Sequence, residues 1–125
     1  MKLRGKVVAG AGIGRKLGYP TANLECVNVE YPRSGVYAAR VVFNDSAYHA
    51  VAVIGARLER EKSLIEVLVL DFHGDLYDKK LEVEVLDKLS EIKEFKNEKA
   101  LVAKIENDIR KARVCLQGLF KRPGA

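Results

Sequence analysis

The chain has 125 residues, 48% of them apolar and 31% charged, with 22 Lys+Arg against 17 Asp+Glu and a net charge of +5. That length supports one core but not two, the composition is that of a soluble globular domain rather than a disordered one, and the apolar runs are too short or too interrupted to cross a bilayer. No long apolar stretch follows "MKLRGKVV", so no signal peptide is read, and the widely separated Cys26 and Cys115 are expected as free thiols in a reducing cytoplasm. The positive balance favours anionic partners, phosphates among them. Cations are scattered and never interleaved with aromatics, and Trp is absent, so no nucleic-acid partner is expected.

In chain order, "LRGKVVA" (3–9) reads as a strand that ends in a glycine-rich stretch. That stretch closes with "GRKLGYPTAN" (14–23), where Gly14, Gly18 and Pro20 surround Arg15 and Lys16. Glycines permit close backbone approach to a bound group and proline fixes the chain direction. In an extended segment Thr21 and Asn23 point the same way, so two hard oxygens stand beside a cationic loop. Phosphate with a divalent cation would suit that arrangement, although the same residue types also build ordinary surface turns.

Next, "GVYAARVVF" (35–43), the turn signal "NDSA" and "YHAVAVI" (48–54) predict a hairpin. "SLIEVLVLDF" (63–72) is apolar on both faces and predicts a buried strand, "HGDLYD" a turn. "KLEVEVLDKL" (80–89) alternates, with Leu81, Val83 and Val85 facing inward and its acids outward. From Asn97 the period becomes helical: Leu101, Ile105, Ile109, Ala112 and Leu116 share one face, Asn97 caps the start and Gly118 marks the stop. Hairpins followed by one amphipathic helix predict a small antiparallel barrel with the helix packed on it.

Glu66 stands out. Its own face of the strand carries Leu64, Leu68 and Leu70, and the other carries Ile65, Val67 and Val69. A carboxylate buried there would have its pKa raised by desolvation, which suits a general base for a hydroxyl group. A place at the barrel rim, or an ion pair with Arg57 or Arg40, would account for it equally well. His49 and His73 have no partner at metal-ligand or triad spacing.

The motifs taken together resemble the riboflavin kinase family. "GKVVAGAGIGRKLGYPTANL" (5–24) follows that family's strand, glycine loop and G-R-x-L-G-[FY]-P-T-A-N-[LF] pattern. The resemblance continues through "GVYAARV", "IGAR", "IEVLVLDFHGDLYDKKLEVEVL" and "KALVAKIENDIRKAR", nearly the whole chain. It implies a six-stranded antiparallel Greek-key β-barrel with a C-terminal helix, a single domain over residues 1–125, and transfer of the γ-phosphate of ATP to the ribityl 5′-hydroxyl of riboflavin, giving FMN. It further implies Glu66 as the catalytic base, Gly10, Arg15, Gly18 and Thr21 at the nucleotide, and Thr21 and Asn23 at a Mg²⁺ ion. A flavin-side flap would carry Asp75, Leu76 and Tyr77. The partners expected are riboflavin and ATP, for a cytoplasmic monomer without membrane contact.

Departures from the family pattern concentrate on the flavin side. Leu68 stands where the family has His, Asp78 replaces the glycine of an L-Y-G triplet and restricts the flap backbone, and Leu58 and Glu59 replace Pro-Thr. Ser90 and Ile92 take the places of an Arg and a Glu, with Phe95 retained. A flavin- or nucleotide-binding barrel without turnover, or with altered specificity, is the alternative these departures leave. Bacterial members are often fused to an N-terminal FMN adenylyltransferase domain, for which 125 residues leave no room, so FAD synthesis is not expected.

Overall fold

The computed structural model describes residues 1–8, 21–26, 30, 32–55, 65–93 and 97–121. Six strands form a closed antiparallel barrel: β1 (Lys2–Val8), β2 (Ala22–Cys26), β3 (Gly35–Phe43), β4 (Ser46–Ile54), β5 (Ile65–Val69) and β6 (Lys80–Ser90), in the order β1-β2-β5-β4-β3-β6. A single helix, α1 (Glu98–Lys121), packs across the outside of β3, β4 and β6. The predicted barrel and helix are present.

A six-stranded barrel is narrow, and its inward positions are filled accordingly. Ala22, Ala39, Ala50 and Ala52 leave room for Leu3, Tyr37, Ile54, Ile65 and Leu81, all in one buried cluster. Inside it the Tyr37 hydroxyl donates to the Arg33 carbonyl at 2.7 Å, which satisfies the one polar group that its ring carries inward. Gly5 is also required by packing: a Cβ there would meet the Glu25 carbonyl oxygen at 2.6 Å. A second cluster lies outside the barrel, where Val36, Ala38 and Val51 meet Ala112 and Leu116 of α1, with Leu68, Ile109 and Cys115 around them. Small residues on both surfaces let the helix approach the sheet closely.

The β3–β4 hairpin turns on Asn44 and Asp45, both at positive φ (51° and 61°), the combination a two-residue type I′ turn demands. Asn97 caps α1 as expected, its Oδ1 accepting from the Ala100 N–H at 2.8 Å. The helix does not stop at Gly118. It runs on to Lys121, because an interior glycine weakens a helix by only about 1 kcal/mol and the packing of the helix outweighs that. The strand expected over 63–72 is shorter at its far end, since a turn begins at Leu70. Two polar anchors fix the helix. Asp108, 4% exposed, accepts from Lys104 at 2.5 Å and from the Ser90 hydroxyl at 2.8 Å. Nearer the helix end, Arg113 forms a two-pronged pair with Asp71.

Candidate active site

The site begins with strand alternation. Ala22 and Leu24 are buried inside the barrel, so Asn23 lies on the outer side of β2, and Thr21 immediately precedes the strand. On β5, Ile65 and Val67 point inward and Glu66 outward. The β2–β5 register then sets Asn23 directly opposite Glu66, and β4 sets Val53 on the other side of Glu66. Directly opposed residues on one sheet face have Cβ atoms about 4.5–5.5 Å apart. The acid of the apolar strand and the amide of the P-T-A-N segment are therefore neighbours across a strand boundary.

One expectation is corrected here. Glu66 is exposed, not buried among leucines and valines. The apolar residues of its face have another use: Leu68 turns into the cluster beneath α1, while Glu66 lies one step beyond that cover, between Asn23 and Val53. The Arg40 alternative also finds another arrangement, since Arg40 lies on β3, opposite His49, with its guanidinium 3.9 Å from Glu84. Arg57 lies outside the described residues, as do Leu58 and Glu59.

Gly10, Arg15 and Gly18 also fall outside the described residues. The strands that bracket them are described: β1 ends at Val8, which pairs with Asn23 near the start of β2. The connection from β5 to β6 reaches this same end of the barrel. Val7 donates to the Lys79 carbonyl at 2.9 Å and accepts from the Asp78 N–H at 3.0 Å. Of the flap residues, Asp75 is exposed and its Oδ1 accepts from the Tyr77 N–H at 2.8 Å, Leu76 is buried in the barrel cluster, and Tyr77 is 58% exposed. Phe43, Tyr48 and Phe72 pack edge-to-face or tilted beside this connection, with centroids 5.3–5.9 Å apart.

Two of the departures acquire a structural meaning. Asp78 sits at φ 69°, so the left-handed backbone that a glycine adopts freely is kept by an aspartate, which tolerates it better than most residues. Its carboxylate pairs with Lys6 at 2.8 Å, which holds its pKa below the ordinary carboxylate value. Ser90 bonds to the buried Asp108–Lys104 pair and so serves the helix. Asp71 is likewise held low by the hydrogen bonds and charge of Arg113, with smaller contributions from His49 and His73. Sequence reading missed both Asp pairings, because Arg113 lies 42 residues from its partner and no local pattern links them.

Among the described residues no three or more His, Cys, Asp or Glu side chains form a group able to hold a metal by themselves. The residues expected at a metal, Thr21 and Asn23, offer a hydroxyl and an amide oxygen instead. That chemistry fits Mg²⁺, which keeps several waters and takes few protein oxygens when substrate phosphates supply the rest. Cys26 and Cys115 are free; burial pushes the Cys26 thiol up to about 11, and burial with the Asp87 hydrogen bond raises Cys115.

A family model described as flavokinase, riboflavin kinase, matches residues 1–116. The chain belongs to the riboflavin kinase family. It is 37% identical over 115 residues to the bifunctional riboflavin kinase/FMN adenylyltransferase of Pseudomonas fluorescens, a match covering 90% of this chain and 37% of that protein. It is 36% identical over 111 residues to the RNA-binding riboflavin kinase RibR of Bacillus subtilis, covering 86% and 47%. The chain thus spans less than half the length of these curated relatives. Among solved structures, a protein from Streptococcus pneumoniae described as a macrolide-efflux protein superposes with a TM-score of 0.83 at 34% identity, over 90% of this chain and 38% of that one. The riboflavin kinase of Trypanosoma brucei superposes with a TM-score of 0.64 at 24% identity, over 99% and 90%, and shares the fold. Among the described residues no helix is long and apolar enough to cross a membrane.

Proposed function

We propose that the chain is an ATP:riboflavin 5′-phosphotransferase, acting as one domain over residues 1–125. Family membership supports the reaction class, and the observation that carries the site is the cross-strand pair Glu66 and Asn23, the latter two residues from Thr21 in the chain. Glu66 accepts the proton of the ribityl 5′-hydroxyl as that oxygen bonds to the γ-phosphorus. The bond from the γ-phosphorus to the β–γ bridging oxygen breaks, and ADP leaves. Phosphoryl transfer depends on positioning and charge stabilisation more than on covalent help, so one base and a set of phosphate-binding groups are sufficient equipment.

Thr21 and Asn23 would hold Mg²⁺, which when bound neutralises charge on the transferring phosphate. Gly10, Arg15, Gly18 and Thr21 would bind the nucleotide, and Asp75, Leu76 and Tyr77 would line the flavin side. A cytoplasmic monomer fits this role. RNA binding belongs to the name of the Bacillus subtilis relative and is not extended to this chain. Here the cations of β1 face acids: Lys2 and Arg4 reach Glu82 at 3.7 and 3.3 Å, and Lys6 reaches Asp78.

The test is incubation with riboflavin, Mg²⁺ and either ATP or CTP, followed by chromatographic separation of the flavins. FMN should form, and Glu66→Gln should lower kcat by a factor of about 10²–10⁴. The absence of FMN with every donor would overturn the proposal. One observation favours a second reading: Leu68, at the position where the family has His, is committed to packing under α1. A barrel that binds flavin without turning it over would quench riboflavin fluorescence yet yield no FMN.

A further inference from the structure

The connection from β5 to β6 contains two non-glycine residues in left-handed backbone, Asp71 (φ 57°) and Asp78 (φ 69°), one at each end. Each is pinned by a cation from a different element. Arg113 of α1 grips Asp71 with both guanidinium nitrogens, Nη1 to Oδ2 at 2.9 Å and Nη2 to Oδ1 at 3.2 Å. Lys6 of β1 reaches Asp78 Oδ1 at 2.8 Å. Between these pins Leu76 is buried, a Cβ at Gly74 would meet the Phe72 ring at 3.1 Å, and Tyr77 stays exposed.

All four charged side chains are largely exposed, and exposed pairs add little to global stability. Their placement gives them a different use. A side chain held in left-handed backbone relaxes when the groups that over-determine it are removed. Losing either cation would therefore release one end of the strap, while the barrel beneath retained its own hydrogen bonds. The Asp78 end adjoins the site, since the Asp78 N–H donates to the Val7 carbonyl beside the Val8 that pairs with Asn23, while the Asp71 end anchors the strap where it leaves β5, five residues past Glu66.

We propose that Arg113 and Lys6 are positioning residues that fix the strap 71–78 at both ends and thereby set flavin affinity at the face carrying Asn23 and Glu66. The link to flavin rests on the phosphotransferase reading; the pinning does not. Arg113→Ala, Lys6→Ala, the double variant and Arg113→Lys are compared with wild type. In ligand-free protein, each alanine variant should speed amide hydrogen exchange in residues 72–78 by roughly three- to fivefold, with the melting temperature little changed. The double variant should exceed either single one, and Arg113→Lys should recover part of the protection. With substrate, KM for riboflavin should rise by a similar factor while kcat changes less.

Unchanged exchange in the double variant would overturn the proposal, whatever the enzyme does. Faster exchange with KM and kcat both unaltered would overturn the positioning role. Faster exchange in a chain whose wild type makes no FMN would uphold the pins and sink the phosphotransferase reading instead.

Discussion

At Gly5 the ladder between β1 and β2 leaves no room for a methyl group: besides the Glu25 carbonyl oxygen, a Cβ would press on Leu24 Cγ at 3.0 Å. Gly5→Ala should therefore destabilise the barrel by about 1–3 kcal/mol, seen as a lower urea midpoint. Glu66→Gln should behave in the opposite manner. The residue is exposed, so the unfolding midpoint should be unchanged while turnover collapses. Cys26 offers a chemical check, since a thiol whose pKa lies at about 11 carries little thiolate at pH 8 and should be alkylated far more slowly than a free peptide thiol. Its apolar neighbours in sequence single Glu66 out, but its actual surroundings, an exposed place between Asn23 and Val53, were not legible from them. Alternation divides a strand into two faces without saying which one enters the barrel and how far a helix covers the other. Here the cover reaches Leu68 and ends before Glu66.

Among the elements, α1 depends on a buried ion pair. Asp108→Ala would leave Lys104, whose side chain is 15% exposed, without its carboxylate, at a cost of about 3 kcal/mol or more. Thermal unfolding monitored by circular dichroism would measure it. The Arg113–Asp71 and Lys6–Asp78 pairs respond to acid. Both aspartates have pKa values depressed below 3.8 in the folded protein, so their contribution is complete above that value and disappears as pH falls through the lower folded values. Strap protection against hydrogen exchange should accordingly hold at pH 5 and fail only below about pH 4. The helix and the long strands could be read from period and capping. The segment Ala22–Cys26 alternates apolar Ala22, Leu24 and Cys26 with polar Asn23 and Glu25, but five residues directly behind a Gly- and Pro-containing turn signal are too few to mark a strand by themselves. Its place in the barrel comes from pairing with β1 and β5, which are distant in sequence.

For the molecule as a whole, closure rests on pairs far apart in the chain. Lys2 pairs with Glu84 and Asn23 with Glu66, so the barrel cannot close until both ends of the strand sequence have met. Such topology predicts folding in roughly milliseconds to seconds rather than microseconds, which stopped-flow refolding would check. The fold class was legible because hairpin spacing and one terminal amphipathic helix restrict the choices. The strand order was not, since β2 inserts between β1 and β5 and no local pattern encodes that neighbour. Closure has one more consequence. Every strand already has two bonded neighbours, so no peptide can extend the sheet by adding itself as a seventh member. A macromolecule that docks on the wall of this barrel would therefore grip side chains, since the described strands leave it no sheet edge to join.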